Sequence, residues 1–330
     1  MDAGRTSHKV NLFIVGAPKC GTTAWVEYLR THPEIFFPAT KEDCFFALDL
    51  PGFRAVQSEA EYSALFTDSE TAKVRGEASA MYLFSEAAAG AIRDHNPDAR
   101  ILIFLRAQED FLPSLHNQFL REFAEEIEDF ETAWRLSGHR PASTIPPGCL
   151  EPRTLDYAAM GRFAEQVERY VAAFPGERIL AIHLREWAGD PRGTYLRILN
   201  FLDLPDDGRT EFLPVNEGAT YRSRRLVRSI LFPPAWLRKA VRTAKRATGF
   251  QWQWVYPIMH RLVRLLTTAG YDRSVDLGLR EEIVAYYADD NLRLNELLAT
   301  TCSREPVGLS RLSRKRALTR SRNQQSGPEC

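Results

Sequence analysis

The sequence predicts an α/β fold with a central parallel sheet flanked by helices. Two short apolar runs, 12–15 and 101–105, have the composition of fully buried strands. The first leads through a glycine-containing turn into a helix over about 22–30, which His32-Pro33 ends. Because strands alternate with helical segments along the chain, we expect the strands to pair in parallel.

The alternation continues to about residue 205. We predict one more strand, over 178–183, and helices over about 85–95, 111–127, 157–174 and 194–202. Beyond about 216 the pattern is helical, with Pro233-Pro234 as a break and helices near 252–267 and 279–298. The prediction is therefore one catalytic domain over 1–309, with a sheet core over about 10–215, a helical C-terminal part over 216–309, and a disordered basic tail over 310–330.

Composition excludes several classes of protein. Hydrophobic residues make up 44% of the chain and charged residues 26%, which is globular. Lys+Arg and Asp+Glu both total 43, so no overall charge favours nucleic acid as a partner. Five scattered cysteines without metal-ligand spacing suit a reducing, cytoplasmic compartment. No apolar run is long enough for a signal-peptide core or a transmembrane segment, and no feature predicts an oligomeric state.

The turn after the first strand has the character of a phosphate-binding loop. Gly16-Ala17-Pro18-Lys19-Cys20-Gly21-Thr22-Thr23 joins a strand to a helix, where backbone N–H groups and the helix dipole attract phosphate. The Gly-x4-Gly spacing matches a Walker A loop, but Thr22 stands where that loop has its lysine, and Lys19 lies inside the turn. The strand over 101–105 ends at Arg106, not at the aspartate that would hold Mg²⁺. We therefore expect a P-loop-like fold that binds anions without a metal.

Two motifs together resemble the PAPS-dependent sulfotransferase family, whose donor is 3′-phosphoadenosine 5′-phosphosulfate (PAPS). The loop Gly16-x-x-Lys19-x-Gly21-Thr22-Thr23 resembles the family's 5′-phosphosulfate loop, and Arg106 with Ser114 resembles its 3′-phosphate signature. The resemblance implies that two groups of residues bind PAPS. They are the loop residues Pro18, Lys19, Cys20, Gly21, Thr22 and Thr23, and the pair Arg106 and Ser114.

Further segments resemble the family in order along about residues 10–220. Lys41-Glu42 followed by Phe45-Phe46 is similar to a segment of carbohydrate-type members. Gly76-Glu77-x-Ser79-x-x-Tyr82 and the segment from Gly161 to Gln166 occupy matching places in bacterial members.

Two positions depart from the family pattern. Ala24 holds the place of a tryptophan that follows the paired threonines in cytosolic members, and Trp25, one residue later, is predicted to be core. Cys44 holds the place of a histidine that heparan-type members often carry. The second departure leaves the geometry at the acceptor open.

Sulfuryl transfer requires fixed positive charge at the leaving phosphate and a general base for the acceptor. Lys19 is the candidate for the charge. The resemblance assigns Glu42 as the base, with Lys41 orienting the sulfonate or the base, although Glu42 could instead be a surface residue paired with Lys41. His116 is a rival base, but two residues from Ser114 place it about 200° around a helix from that residue.

The strongest local charge lies between residues 218 and 250, which hold nine basic residues and no acidic ones. The resemblance makes Arg222 and Ser223 candidates for closing over the 3′-phosphate and adenine. A solvated helix face and contact with an anionic membrane surface are the alternatives.

The leading hypothesis is a PAPS-dependent sulfotransferase acting on an acceptor hydroxyl or amine. The Lys-Glu-x-x-Phe-Phe segment favours a sugar or another small hydroxyl compound, by analogy alone. The alternatives are a P-loop kinase or NTPase, disfavoured by the position of Lys19, and a non-catalytic protein that binds phosphoadenosine nucleotides.

Overall fold

The structure, a computed structural model, describes residues 9–213, 219–231, 261–263, 265–269 and 275–301. Its centre is a five-stranded sheet in the order β2-β3-β1-β4-β5, and every pair in it is parallel. The strands are β1 (Leu12–Gly16), β2 (Ile35–Phe36), β3 (Val74–Ala78), β4 (Arg100–Leu105) and β5 (Ile179–His183). The predicted α/β fold with a central parallel sheet is confirmed.

Helices surround this sheet. Those before residue 205 are α1 (Thr22–Arg30), α2 (Glu59–Ala64), α3 (Ala88–His95), α4 (Gln108–Glu122), α5 (Phe130–Arg135), α6 (Tyr157–Met160), α7 (Phe163–Ala173), α8 (Leu184–Gly189) and α9 (Pro191–Phe201). The C-terminal part contains α10 (Arg224–Leu231), α11 (Leu277–Tyr286) and α12 (Ala288–Thr301). None of the helices in the described ranges is long and apolar enough to cross a bilayer.

The core lies between β1, β4 and the helices that cover them. All residues of β1 are buried, and β4 is buried from Ile101 onward, as apolar strands inside a parallel sheet should be. Trp25 of α1 is fully buried and stacks on Phe104 with ring centroids 5.6 Å apart. The prediction that Trp25 belongs to the core is confirmed.

Several element boundaries differ from the sequence-based prediction. The helix expected over 111–127 is α4, which ends at Glu122 because Phe123 adopts a left-handed conformation (φ 58°). The helix expected over 157–174 is divided into α6 and α7 at Gly161, where a side chain would approach the Tyr287 hydroxyl to 2.4 Å.

The C-terminal part is not helical throughout. A two-stranded antiparallel ribbon joins β6 (Ala219–Tyr221) to β7 (Thr267–Ala269), whose Thr- and Tyr-containing sequences suit an extended backbone. Residues 232–260 and the tail over 310–330 lie outside the described residues.

The sequence reasoning missed β2 and β3. β2 has only two residues, and β3 carries Arg75, Gly76 and Glu77, so neither shows an apolar run. These charged residues are tolerated because the Arg75 guanidinium donates to the Lys9 and Ala72 carbonyl oxygens and Glu77 is hydrogen-bonded by hydroxyl groups.

The strand order determines where a ligand can bind. β1 lies between β3 and β4, and the chain leaves β1 for one side of the sheet before crossing to the other. Loops at the carboxyl ends of such strands diverge and leave a crevice. The loop after β1 therefore lies between the segments at the ends of β3 and β4.

Candidate active site

The loop after β1, residues 16–21, depends on glycine at both ends. Gly16 (φ 148°) is packed against the segment after β3, so that a Cβ would lie 2.6 Å from Leu83 Cβ. Gly21 (φ 90°) precedes α1 in a left-handed conformation, and a Cβ there would lie 2.5 Å from Trp187 of α8. Only glycine allows both approaches, which explains the spacing seen in the sequence.

The first turn of α1 is open to an anion. No side chain caps this helix, and its first turn contains no acidic residue. Unpaired N–H groups at a helix N-terminus carry partial positive charge and can donate hydrogen bonds to phosphate oxygens. Thr22 is buried in this turn and Thr23 is half-buried. The Cys20 thiol stays protonated and uncharged, because burial raises its pKa to about 12.

Arg106 reaches the loop from the end of β4. Its Nη1 atom lies 3.4 Å from the Lys19 carbonyl oxygen, and its Nε is buried with no partner among the described residues. Burial is the main cause that lowers the pKa of the Lys19 ammonium, and the positive charges of Arg121 and Arg106 lower it further. Arg106 and the turn that carries Lys19 therefore lie together, and the two cations form one positive site.

Helix α4 presents one face to this site. Ser114 is almost completely buried, and Arg121, seven residues later, lies only about 20° from it around the helix. Arg121 Nε is also buried without a partner among the described residues. Arg121 was missed from the sequence, although its seven-residue spacing from Ser114 was the available signal.

His116 lies on the other side of α4. Its Nε2 is 2.8 Å from the Ile127 carbonyl oxygen, and its ring contacts Phe130 and Tyr157. Burial lowers the pKa of His116 and favours the neutral ring. These contacts give His116 a place in the core, away from Lys19.

Arg222 and Ser223 lie in a cleft of about 470 Å³ that Arg121 also lines. Ser223 Oγ accepts a 3.4 Å hydrogen bond from the Leu226 amide at the start of α10, and Arg222 is exposed. Arg224 joins this part of the chain to α4, because its Nε donates to the Leu120 carbonyl oxygen at 2.9 Å. The structure thus brings Arg222 and Ser223 to the helix that carries Ser114.

Glu42 occupies the opposite side of the loop, at the end of β3. Its Oε2 accepts a 2.7 Å hydrogen bond from the Ala80 amide, and its Oε1 pairs with the Lys41 ammonium. Both side chains are half-buried. The suggestion of an ion pair with Lys41 is therefore confirmed, and the same contacts hold the carboxylate in one orientation. A carboxylate has about four lone-pair positions, so Glu42 can still accept a proton.

Glu122 is a second carboxylate close to the site, and the sequence analysis overlooked it. Desolvation by the surrounding protein raises the pKa of Glu122, while a 2.9 Å hydrogen bond from Gln118 and the charges of Arg121 and Lys19 oppose that shift. Glu42 also acts on it electrostatically. Lys19 and Glu42 therefore both lie near the C-terminal end of α4.

Backbone conformation marks the same two segments. Among the described residues other than glycine, five have positive φ, and three of these are Lys19, Glu42 and Cys44. Left-handed conformations are unfavourable for such residues and are concentrated at functional sites. The arrangement places a positive loop between two arginines and a fixed carboxylate, which suits transfer of an anionic group to an acceptor that must lose a proton.

Comparison with known proteins identifies the chemistry of related chains. Residues 9–215, well over half of the chain, match the family model described as the Sulfotransferase domain. Carbohydrate sulfotransferase 15 of Rattus norvegicus is 24% identical over 280 residues, an alignment that takes in 68% of this chain and 49% of that protein. The chain thus spans about half the length of this curated relative.

One solved structure matches nearly end to end. The crystal structure of a sulfotransferase from Alicyclobacillus acidocaldarius superposes with a TM-score of 0.63 at 25% identity, over 88% of this chain and 96% of that one.

Proposed function

Because this chain belongs to the sulfotransferase domain family, we propose that it transfers a sulfuryl group from PAPS to an acceptor hydroxyl, with an amine as the alternative acceptor. The observation that carries the proposal is the contact between Arg106 and the Lys19 loop. Two sets of anion-binding groups, from the ends of adjacent strands, can thereby bind the two phosphates of a single nucleotide.

The residues present suit such a donor. The uncapped start of α1 and the Lys19 loop supply donors for the 5′-phosphosulfate. Arg106 and Arg121 each keep a buried Nε without a partner among the described residues, and an arginine fork matches phosphate geometry. Ser114 and the cleft that contains Arg222 and Ser223 complete the proposed contacts around the 3′-phosphate and adenine.

Two side chains take part directly in the proposed chemistry, Glu42 as the general base and Lys19 as the cation at the leaving phosphate. PAPS supplies a sulfuryl group that is bonded to a phosphate oxygen, and the phosphate is a good leaving group. Glu42 takes the proton from the acceptor oxygen, and the Lys41 ammonium keeps the Glu42 carboxylate aimed. Lys19 neutralises the negative charge that grows on the phosphate oxygen, and its desolvated position strengthens that effect.

Two observations favour a particular class of acceptor. The Lys41-Glu42 segment and the match to a carbohydrate sulfotransferase favour a carbohydrate or another small hydroxyl compound. A kinase or NTPase is not favoured. A cytoplasmic location, metal independence and a single catalytic domain stay predictions.

A transfer assay tests the proposal. Purified full-length protein is incubated with radiolabelled PAPS and a panel of sugars, phenols, alcohols and amines, in EDTA. We expect label in a hydroxyl-bearing product and release of the 3′,5′-bisphosphate (PAP). PAP binding without transfer to any acceptor would support a non-catalytic binding protein, and magnesium-dependent hydrolysis of ATP would support the kinase or NTPase alternative.

Replacing Arg106 by Ala should weaken binding of PAP by roughly 10- to 100-fold, because hydrogen bonds to a charged group are lost. Binding of AMP, which lacks the 3′-phosphate, should change far less. Calorimetry with both nucleotides measures the difference, and Arg93→Ala, which removes an exposed arginine paired with Asp94, is the control. Equal losses for the two nucleotides would mean that Arg106 binds another group.

A further inference from the structure

The segment that carries Glu42, residues 42–46, is held along its length by the chain at the end of β3. Every second amide in this Glu42 segment donates a hydrogen bond to that chain. The bonds run from Glu42 N to Ala78 O (2.9 Å), from Cys44 N to Ser79 Oγ (3.0 Å) and from Phe46 N to Tyr82 Oη (3.2 Å).

These bonds oppose an unfavourable backbone. Glu42 and Cys44 have φ angles of 65° and 49°, in the left-handed region that residues with a Cβ seldom adopt. Such conformations persist only where the surrounding structure holds them. The position of the Glu42 carboxylate therefore depends on the acceptors at the end of β3.

Two of these acceptors are hydroxyl oxygens that meet at one buried carboxylate. Ser79 Oγ donates to Glu77 Oε1 at 2.8 Å, and the Tyr62 hydroxyl donates to Glu77 Oε2 at 3.1 Å. The Tyr82 hydroxyl also acts on Glu77, since it lowers the pKa of that carboxyl group. Glu77 itself is only 2% exposed and is the penultimate residue of β3.

The Glu77 carboxylate determines the direction in which the hydroxyl protons of this network point. A hydroxyl group has one proton to donate, and when its oxygen accepts an amide N–H, that proton must point elsewhere. An ionised carboxylate only accepts hydrogen bonds, so it draws the protons of the hydroxyls toward itself. The oxygen lone pairs of Ser79 and Tyr82 are then turned toward the Glu42 segment.

We propose that Glu77 is a positioning residue, whose carboxylate orients the Ser79 and Tyr82 hydroxyls so that they clamp the Glu42 segment and aim the Glu42 carboxylate. The inference rests on the role proposed above for Glu42, but it concerns a residue that lies inside the sheet and cannot reach a substrate.

The ionisation of Glu77 provides a distinctive signature. Burial raises its pKa to about 7, against the hydrogen bonds from Ser79, Tyr82 and Tyr62. The titratable groups that surround this network are Glu42, Asp43, Cys44, Tyr62, Tyr82, His95 and Tyr170. Below about pH 7, Glu77 gains a proton, one of its oxygens becomes a donor, and the clamp loosens.

Acidification should raise the contribution of Glu77 to the free energy of unfolding while it lowers kcat. The folded-state pKa of Glu77 lies above that of the unfolded chain, so the folded protein binds the extra proton between the two values. The contribution of Glu77 to the free energy of unfolding therefore falls as pH rises from about 4.3 toward neutrality and is constant above. If protonation of Glu77 lowers kcat on acidification, that loss cannot result from unfolding, because the same protonation favours the folded state.

The test compares three variants in the transfer assay. Glu77→Met keeps an unbranched side chain but accepts no proton, and we expect kcat to fall roughly 10- to 100-fold while the Kd for PAP changes less than about threefold. Ser79→Ala removes the acceptor for the Cys44 amide together with one donor to Glu77, and it should reproduce the fall in kcat if Glu77→Met does not fold. Tyr62→Phe keeps the ring and removes a hydroxyl that bonds Glu77 but not the Glu42 segment. Assayed well above pH 7, where Glu77 stays ionised without that hydrogen bond, its kcat should stay within about threefold of the wild type.

The acidic limb of kcat near pH 7 should also disappear in Glu77→Met. Unchanged kcat in both Glu77→Met and Ser79→Ala, or an equal loss in Tyr62→Phe, would overturn the proposal. Amide hydrogen exchange gives a reading that needs no acceptor substrate: Cys44 should lose protection in Ser79→Ala and in Glu77→Met, but not in Tyr62→Phe. Phe46, whose amide bonds Tyr82, should lose protection in Glu77→Met. Retained protection in the first two would overturn the inference even if the wild-type protein transfers no sulfuryl group, so this result is separable from failure of the proposed function.

Discussion

Replacing Lys19 by Ala should lower kcat for sulfuryl transfer by about 10²–10³-fold, the loss expected when one preorganised electrostatic stabiliser is removed from a leaving group. The ammonium is the single basic side chain within the loop between Gly16 and Gly21, and Arg106 and Arg121 lie close enough to lower its pKa. Single-turnover kinetics with saturating PAPS measures the chemical step apart from binding.

Two controls sharpen this result. Lys73→Ala removes an exposed lysine that pairs with Glu34 at the surface, and its kcat should equal that of the wild type. Circular dichroism should show an unchanged fold in both variants. A Lys19→Ala enzyme with wild-type kcat and only a raised KM would assign Lys19 to ground-state binding and contradict the stabilising role.

Glu42→Gln should reduce kcat by about 10²–10⁴-fold, because the amide has nearly the same shape but cannot take the acceptor proton. The amide oxygen can still accept the Ala80 N–H, so the segment should keep its position. Nucleotide affinity should remain at the wild-type value, since Glu42 is not among the groups proposed to bind the two phosphates, which are the Lys19 loop, the start of α1 and the arginines on and before α4. Calorimetry with PAP and the transfer assay together give the two quantities.

The matched variant for Glu42 is Glu27→Gln, which removes a half-exposed carboxylate paired with Arg30 farther along α1. It should leave kcat and PAP affinity unchanged. If Glu42→Gln transfers sulfuryl groups at the wild-type rate, the base is another group, and Glu122 is the next carboxylate to substitute because it lies near both Lys19 and Glu42. Loss of PAP binding in Glu42→Gln would instead show a structural role for this residue.

Much of the candidate nucleotide site could be predicted from short-range pattern. A strand, a turn bounded by Gly16 and Gly21, and a helix are encoded within about twenty consecutive residues, so the loop needs no distant information. Arg106 could be found because β4 is a continuous apolar run whose end is visible in the sequence. Trp25 could be assigned to the core because a single-residue shift on a helix turns its side chain by about 100°.

Arg121 and Glu122 were missed, and Glu77 was named only as part of a family-like segment, with no role assigned to it. Arg121, Glu122 and Glu77 acquire their environment from elements far away in the chain. Glu77 is the clearest case: its partner Tyr62 belongs to α2, and its neighbour Ser79 bonds the amide of Cys44, 35 positions earlier. A buried glutamate in a short strand resembles an exposed one when only sequence neighbours are considered. The charged residues Arg75 and Glu77 also kept β3 from being predicted as a strand, because they interrupt its apolar pattern.

The amino-acid sequence alone determined the α/β class, the glycine-bounded turn with its lysine, and the arginine at the end of β4, because each is encoded in a local pattern of apolar runs, glycines and helix starts. Only the tertiary structure decided that β1 lies between β3 and β4, that His116 faces the core, and that Glu42 is clamped beside the loop. The physical reason is that strand order, burial and hydrogen-bond partners arise from contacts between residues distant in sequence, and those contacts leave no local signature.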